Sequence, residues 1–380
     1  MATIEPVTIV FCADQNVINP LCAAVNSIIR HASHTRTYEI ILLHCGLNKQ
    51  LLNKVSLETK GFSNISFRDI EISSTIAGNN FSTQKKLRIP QAAYYRLFIP
   101  YVLSEYTRVI YFDCDILLSA DAAELYDINL GYCSIGAVRD ACSAVSYNEL
   151  TGPEARYRLD ILHLSANEDY VNDGVLLLNL LQMRKRYSLE GTMKIALSHD
   201  WSFQDQDVVN YMYHDDICFL PLAWNHIIEE YYSLNDLSCL PFWKDQIPYV
   251  PKLHHFAIEP KPWTIISPET ETLYWSNARL SQAGREMYRE NLLKQFELCH
   301  KPYTIPSNPS KKERIRIFFK KFLPPPVNSF NREIDRVLSA IDQQKELSML
   351  LLMQLNELEN KVDSAEDSKA TDKTENSDER

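Results

Sequence analysis

Over its first 260 or so residues the chain alternates short apolar runs with stretches of helical periodicity, and few architectures accept that order. The runs at residues 7–12, 38–44, 65–70, 109–112 and 174–180 are separated in the first third of the chain by helical patterns at 21–30 and 51–60. Alternation of this kind predicts an α/β fold, a mostly parallel sheet flanked by helices on both faces. Ligands in such sheets collect at the carboxyl ends of the strands. Asp14 and Asn16 follow the first run, and Asp113 and Asp115 follow a later one, so both polar pairs can converge on one crevice.

The second pair poses a charge problem. Residues 108–118 read R-V-I-Y-F-D-C-D-I-L-L, two aspartates one residue apart in an otherwise apolar stretch. Two ionised carboxylates so placed repel each other and are costly to bury unless a cation or strong donors compensate them. The two-residue period of a strand tip sends both the same way. Hard divalent cations take carboxylate oxygens and leave positions open for phosphates, so a metal is the leading explanation, with a plain acidic turn as the alternative.

Composition narrows the class further. At 380 residues and 45% hydrophobic content the chain can bury a large core. Its nine cysteines form no C-x-x-C pair or Cys/His ligand spacing, which argues against a zinc site or disulfide framework and favours a reducing, cytoplasmic setting. No signal-like leader and no charge-free stretch of membrane-spanning length is evident. The net charge of -10 argues against nucleic acid as a partner.

Beyond Trp263 the pattern changes. Residues 280–299 read as a helix and residues 302–309 as a proline-bearing loop. Residues 311–322, K-K-E-R-I-R-I-F-F-K-K-F, combine basic and aromatic side chains before Pro324, Pro325 and Pro326. Such a helix either lies in an anionic membrane interface or docks its Phe face on the main domain. Ile334, Val337, Ile341, Leu351, Leu355, Leu358 and Val362 fit a heptad register interrupted at Gln344 and Ser348. That register suggests a coiled coil and a homo-oligomer, with a single amphipathic helix as the competitor. The expected divisions are 1–265, the main α/β domain; 266–326, a helical extension; 327–363, an amphipathic helix or coiled coil; and 364–380, a disordered tail.

Three more segments carry polar chemistry. Asn172, Asp173 and Gly174 immediately precede the apolar run at 174–180, where glycine allows a close approach to a ligand or a tight turn. F-Q-D-Q-D-V-V-N at 203–210 opens a helix that Gln204 or Asp205 can cap, leaving the others for a substrate. In L-H-H-F-A-I-E-P-K-P-W, residues 253–263, a histidine suits manganese and Lys261 suits a diphosphate.

Taken in order, F-C-A-D-Q-N, Y-Y-R-L, Y-F-D-C-D, N-D-G-V-L-L-L-N-L, D-Q-D-V-V-N and H-F-A-I-E-P-K-P-W resemble the motifs of family 8 glycosyltransferases, in particular the bacterial lipopolysaccharide galactosyl- and glucosyltransferases related to glycogenin. The resemblance spans roughly residues 7–263. It implies a GT-A fold and transfer of a hexose, with retention, from a UDP-hexose to a saccharide or glycolipid acceptor. It further implies Mn2+, or Mg2+, held by Asp113, Asp115 and His255, with His254 as the rival to His255 and Lys261 on the diphosphate. Cys12, Ala13, Asp14 and Asn16 match the segment around uracil and ribose. Arg96, Cys114, Asp140, Asn172, Asp173, Gly174, Asp205 and Gln206 match the donor surroundings, and Asp173 and Ile258 depart from the family's usual residues. Gln206, Asp205 and Asp207 are the catalytic candidates, Asp207 as the alternative of a covalent nucleophile to same-face attack. Two other readings compete. One is a phosphohydrolase using the first aspartate of Asp-x-Asp, disfavoured by Leu117 and by the motif's depth in the chain. The other is a membrane-peripheral coiled-coil scaffold with an inactive transferase domain.

Overall fold

The computed structural model describes residues 5–77, 81, 91–141, 153–227, 246 and 249–300. The basic and aromatic segment, the heptads and the polar tail expected from the sequence lie outside the described residues.

The short apolar runs are strands. They are β1 (Val7–Cys12), β2 (Tyr38–His44), β3 (Ile65–Glu71), β4 (Arg108–Phe112), β5 (Ile116–Leu118), β6 (Ile135–Arg139), β7 (Val171–Asn179), β8 (Ile217–Phe219), β9 (His226–Ile227) and β10 (Leu253–His255). A seven-stranded sheet runs in the order β3-β2-β1-β4-β7-β6-β8, and a small one in the order β5-β10-β9. In the large sheet β3, β2, β1 and β4 are mutually parallel and β6 is parallel to β8, while β7 runs antiparallel to both β4 and β6. The sheet is therefore mostly parallel, with one reversed strand, β7, in its interior next to the central β4. The GT-A-like α/β architecture expected from the sequence is present.

Both faces of the sheet are buried, which is why the strands read as continuous apolar runs. Successive residues of β1 supply opposite cores. Val7, Ile9 and Phe11 pack with Leu21, Val25 and Ile28 of helix α1 (Ile18–His31). Val10 and Cys12 pack with Tyr94 and Phe98 of the 3-10 stretch Gln91–Phe98 and with Val208 and Met212 of the helix Gln204–Tyr213. Helix α2 (Lys49–Thr59) starts on Asn48, whose side chain accepts the Leu51 N–H at 3.0 Å.

Two boundaries differ from expectation. Strand β7 begins at Val171, so Asn172, Asp173 and Gly174 lie inside it and form no turn. The compact unit continues past residue 265 to Leu292, because Tyr274, Trp275, Ala278 and Met287 pack on Ala23, Leu117 and Phe256. Burying a Trp or Tyr removes roughly 150–250 Å² from water, on the order of 4–6 kcal/mol each. The helix expected near 280–299 is observed as Gln282–His300. Among the described residues no helix is long and apolar enough to cross a membrane.

Candidate active site

The carboxyl ends of β1, β4 and β6, the start of β7 and the tip of β10 meet at one edge of the sheet. Asp113 follows β4 directly, and its backbone N–H donates to Gly174 O at 2.8 Å. Asp115 precedes β5, which pairs antiparallel with β10 and sets Ile116 opposite His255. One ligand atom each from Asp113, Asp115 and His255 lies within 4.8 Å of the other two. His254, on the opposite side of the strand, instead packs edge-on against the His226 ring.

These residues fit a divalent cation. His255 Nε2 and Asp115 Oδ1 are buried without a hydrogen-bond partner and face one another at 3.2 Å, with Asp113 Oδ2 at 3.7 Å from the same nitrogen. The other imidazole nitrogen, Nδ1, is 2.9 Å from Asn225 Oδ1, an oxygen that only accepts. Nδ1 therefore donates to Asn225, and Nε2 is the ring nitrogen that faces the carboxylate oxygens, a set that suits manganese or magnesium. Burial would raise the Asp115 carboxyl, but Lys261 and His255 outweigh it and hold the group well below the usual carboxylate range.

Gly174 makes this cluster possible. A Cβ there would lie 2.3 Å from His255 Cε1 and 2.7 Å from Asp113 Oδ2. The group that approaches its backbone is thus the imidazole.

Beside the triad, Arg96 is a buried guanidinium shared by three carboxylates: Nη2 donates to Asp113 Oδ1 at 2.8 Å, Nη1 contacts Asp173 Oδ1 at 2.9 Å, and Nε contacts Asp205 Oδ2 at 3.0 Å. Its plane also lies over the Tyr111 ring, whose hydroxyl donates to Asp113 Oδ1 at 2.6 Å. One cation does not neutralise three anions. Burial accordingly pushes the Asp173 and Asp205 carboxyls up despite Arg96.

The other expected residues have partners of their own. Lys261 reaches the cluster, but its ammonium donates to Asp115 Oδ2, Phe256 O and Ala257 O at 2.7–2.8 Å, so its donors are committed to the protein. Neither Gln204 nor Asp205 caps the helix Gln204–Tyr213, which starts without a side-chain cap. Asp207 does that work from within the first turn, accepting the Phe203 N–H at 2.7 Å, the Tyr157 hydroxyl at 2.8 Å and the Tyr170 hydroxyl at 2.7 Å. With both oxygens so occupied and no exposed surface, Asp207 is a structural anchor, which removes it as a covalent nucleophile. The anchored turn holds Gln204 at φ 51°, a left-handed value unusual for a non-glycine residue. Next to it, Gln206 Nε2 donates to Asp140 Oδ2 at 3.1 Å and Gln206 Oε1 accepts from Asn172 at 3.0 Å.

At the end of β1, Asp14 accepts both the backbone and side-chain N–H of Asn16, at 2.8 and 3.1 Å, so the pair shapes the turn after Cys12 and Ala13. The Cys114 thiol donates to Cys12 O at 3.3 Å. Burial pushes both thiols up, which keeps them neutral and out of the ligand set. The sequence reading missed Asn225 and Tyr111. A lone asparagine after L-A-W carries no spacing signal, and Tyr111 reads as one more apolar strand residue.

Comparison with known proteins bears on the family and the fold. Residues 8–267 match the family model described as Glycosyl transferase family 8. General stress protein A of Bacillus subtilis (strain 168) is 25% identical over 270 residues, covering 68% of this chain and 88% of that protein. Lipopolysaccharide 1,2-glucosyltransferase of Escherichia coli (strain K12) is 27% identical over 183 residues, 46% of this chain and 49% of that enzyme. The solved galactosyltransferase LgtC, in complex with donor and acceptor sugar analogs, superposes with a TM-score of 0.57 at 22% identity, covering 75% of this chain and 96% of that one.

Proposed function

This chain belongs to glycosyltransferase family 8, and from that premise we propose that it transfers a hexose, galactose or glucose, from a UDP-sugar to a saccharide or glycolipid acceptor with retention of configuration. The observation that carries the reading is the opposed pair His255 Nε2 and Asp115 Oδ1, completed by Asp113, at the edge of the sheet where nucleotide ligands bind in α/β folds. Support for a hexose and a surface-glycan acceptor comes from the lipopolysaccharide glucosyltransferase and the galactosyltransferase that this chain resembles.

A bound Mn2+ or Mg2+ would supply positive charge where the departing diphosphate gathers negative charge. Asp113, Asp115 and His255 would hold it. Lys261, 2.7 Å from Asp115, would exchange that partner for a phosphate oxygen and add charge as the glycosidic bond lengthens. Ala13, Asp14 and Asn16 would border the nucleoside at the end of β1. The donor sugar is rich in hydroxyl donors, and Asp173, Asp205, Asn172 and the amide of Gln206 offer acceptors beside the triad. Arg96 would keep those carboxylates in place. Gln206 is a poor nucleophile and Asp207 is fully bonded, so the geometry favours same-face attack by the acceptor hydroxyl, with Gln206 against the sugar.

The basic and aromatic residues 311–322 would contribute peripheral contact with an anionic membrane, where a glycolipid acceptor resides, and the heptads at 334–362 would add self-association. Incubation with a panel of UDP-sugars, with and without Mn2+, tests the central claim. Metal-dependent UDP release from one hexose donor is expected. Release from none, with folded protein and any acceptor, would leave the scaffold reading in its place.

A further inference from the structure

Asn225 carries no sequence signal, yet it joins the candidate metal ligands to the candidate sugar-facing residues. It closes the 3-10 turn Leu222–Trp224. That turn is tied to β10 by the Lys252 N–H, which donates to Ala223 O at 2.8 Å. Its buried side chain points into the site. There Nδ2 donates to Asn172 Oδ1 at 2.8 Å, and Oδ1 lies 2.9 Å from His255 Nδ1.

The direction of these bonds is fixed from outside the amides. Asn172 Oδ1 also receives the Gly174 backbone N–H at 3.0 Å, and a backbone N–H only donates. That corner of Asn172 must therefore be its oxygen. Asn225 must present its amide nitrogen to it, leaving its own oxygen for His255, and the imidazole must donate from Nδ1. On the far side Asn172 Nδ2 donates to Gln206 Oε1 at 3.0 Å, which turns the Gln206 amide nitrogen toward Asp140 Oδ2 at 3.1 Å. A carboxylate only accepts, so both ends of the chain demand the same polarity.

We infer that Asn225 and Asn172 form a one-way amide relay that holds His255 Nδ1 as a donor, so that Nε2 is the nitrogen turned to the carboxylates, and, by the same bonds, fixes the orientation of Gln206. Asn225 is thus a positioning residue: by taking the Nδ1–H it orients the ring with Nε2 toward Asp115 Oδ1 and Asp113 Oδ2 before any ligand arrives. The inference rests on the reading of Asp113, Asp115 and His255 as cation ligands only for its effect on metal affinity. The Nδ1–H bond itself is a property of the metal-free protein. Partners of metal-bound histidines act in this way, and their loss weakens metal binding about 10–100-fold.

The test uses full-length, metal-free protein labelled with 15N-histidine, in which long-range 1H–15N correlation reads the ring protonation and the His255→Gln variant identifies the signal. The wild type should show His255 as Nδ1–H. Asn225→Leu should lose that preference and weaken Mn2+ binding, measured by electron paramagnetic resonance of free Mn2+, about 10–100-fold. A wild-type ring with no proton on Nδ1, or Asn225→Leu with unchanged ring protonation and Mn2+ affinity, would overturn the relay. Should the ring protonation follow this pattern while the wild type binds no Mn2+, the relay stands and the cation reading falls.

Discussion

Replacing Gly174 by alanine tests whether the candidate site is built on a close approach between β7 and β10. The added methyl would sit 2.3 Å from His255 Cε1 and 2.7 Å from Asp113 Oδ2, whereas relaxed carbon contacts lie near about 3.5 Å. The imidazole would have to retreat by roughly 1 Å, several times the ~0.2 Å by which metal-ligand distances vary. It has little freedom to do so, because the ring is buried and Asn225 holds its Nδ1 at 2.9 Å. Moving the strand instead would strain the bond from the Asp113 N–H to Gly174 O. Overpacking of this kind costs about 1–3 kcal/mol of stability, and displacing one ligand should weaken Mn2+ at least about tenfold, or roughly 1.4 kcal/mol. Urea denaturation and Mn2+ titration calorimetry read the two effects. Gly191→Ala is the control, since its Cβ would meet only Ser188 Oγ at 3.3 Å and should leave metal binding unchanged. A Gly174→Ala protein with the wild-type urea midpoint and Mn2+ affinity within twofold would refute the reasoning.

Burial and the neighbouring His254 push His226 down to about 4, against about 6.5 in an unfolded chain. A depressed histidine favours the fold while neutral, so its contribution is intact above about pH 6.5 and is lost as pH falls toward 4. The displacement would be worth roughly 3 kcal/mol for a wholly enclosed ring; partial exposure reduces it to about 1 kcal/mol. His226→Phe should flatten the stability curve between pH 7 and 5 in urea titrations, and an unaltered slope would contradict this. Lys261→Ala should lower the transfer rate about 100-fold or more while leaving Mn2+ affinity within a few-fold; a rate within threefold of wild type would remove Lys261 from leaving-group stabilisation. Asp207→Asn should cost about 1–3 kcal/mol of stability, because a carboxylate that accepts three hydrogen bonds becomes an amide that must turn a donor toward one of them. Mass spectrometry of donor-treated wild type should find no sugar on Asp207, and an adduct there would defeat same-face attack.

What the sequence disclosed depended on whether a signal was local. The strand runs, Asp113 with Asp115, and Lys261 stand out because charge interrupts an apolar pattern or prolines bracket it. The resemblance put His255 ahead of His254, and strand pairing supplies the physical reason: in β10 adjacent side chains take opposite faces, and register with β5 turns His255 toward Asp115. Asp207 looked like spare acidity at a helix start until the hydroxyls of Tyr157 and Tyr170, 50 and 37 residues away, filled it. Lys261 reads as an unattached cation because no sequence pattern reports the Phe256 and Ala257 carbonyls that hold it. No local pattern reports that Trp275 and Tyr274, past residue 265, bury themselves on Leu117 and Phe256 through contacts distant in sequence.

The reversed strand explains the largest gap between pattern and site. In an all-parallel sheet, residues at the start of a strand lie at the opposite edge from residues that follow its neighbours, and the five residues of β4 span roughly 16 Å. Asn172, Asp173 and Gly174 could not then have met Asp113, and six motifs in order would have described two separate edges. Because β7 runs antiparallel to β4 and β6, its first residues join the carboxyl ends of both. Arg96 can then bridge Asp113 and Asp173, and Asn172 can stand between His255 and Gln206. The reversal is not written in the composition of β7, whose apolar run suits either direction. It follows from what the polar residues at its start require, since three carboxylates, a buried guanidinium and an imidazole compensate one another only if they share an edge.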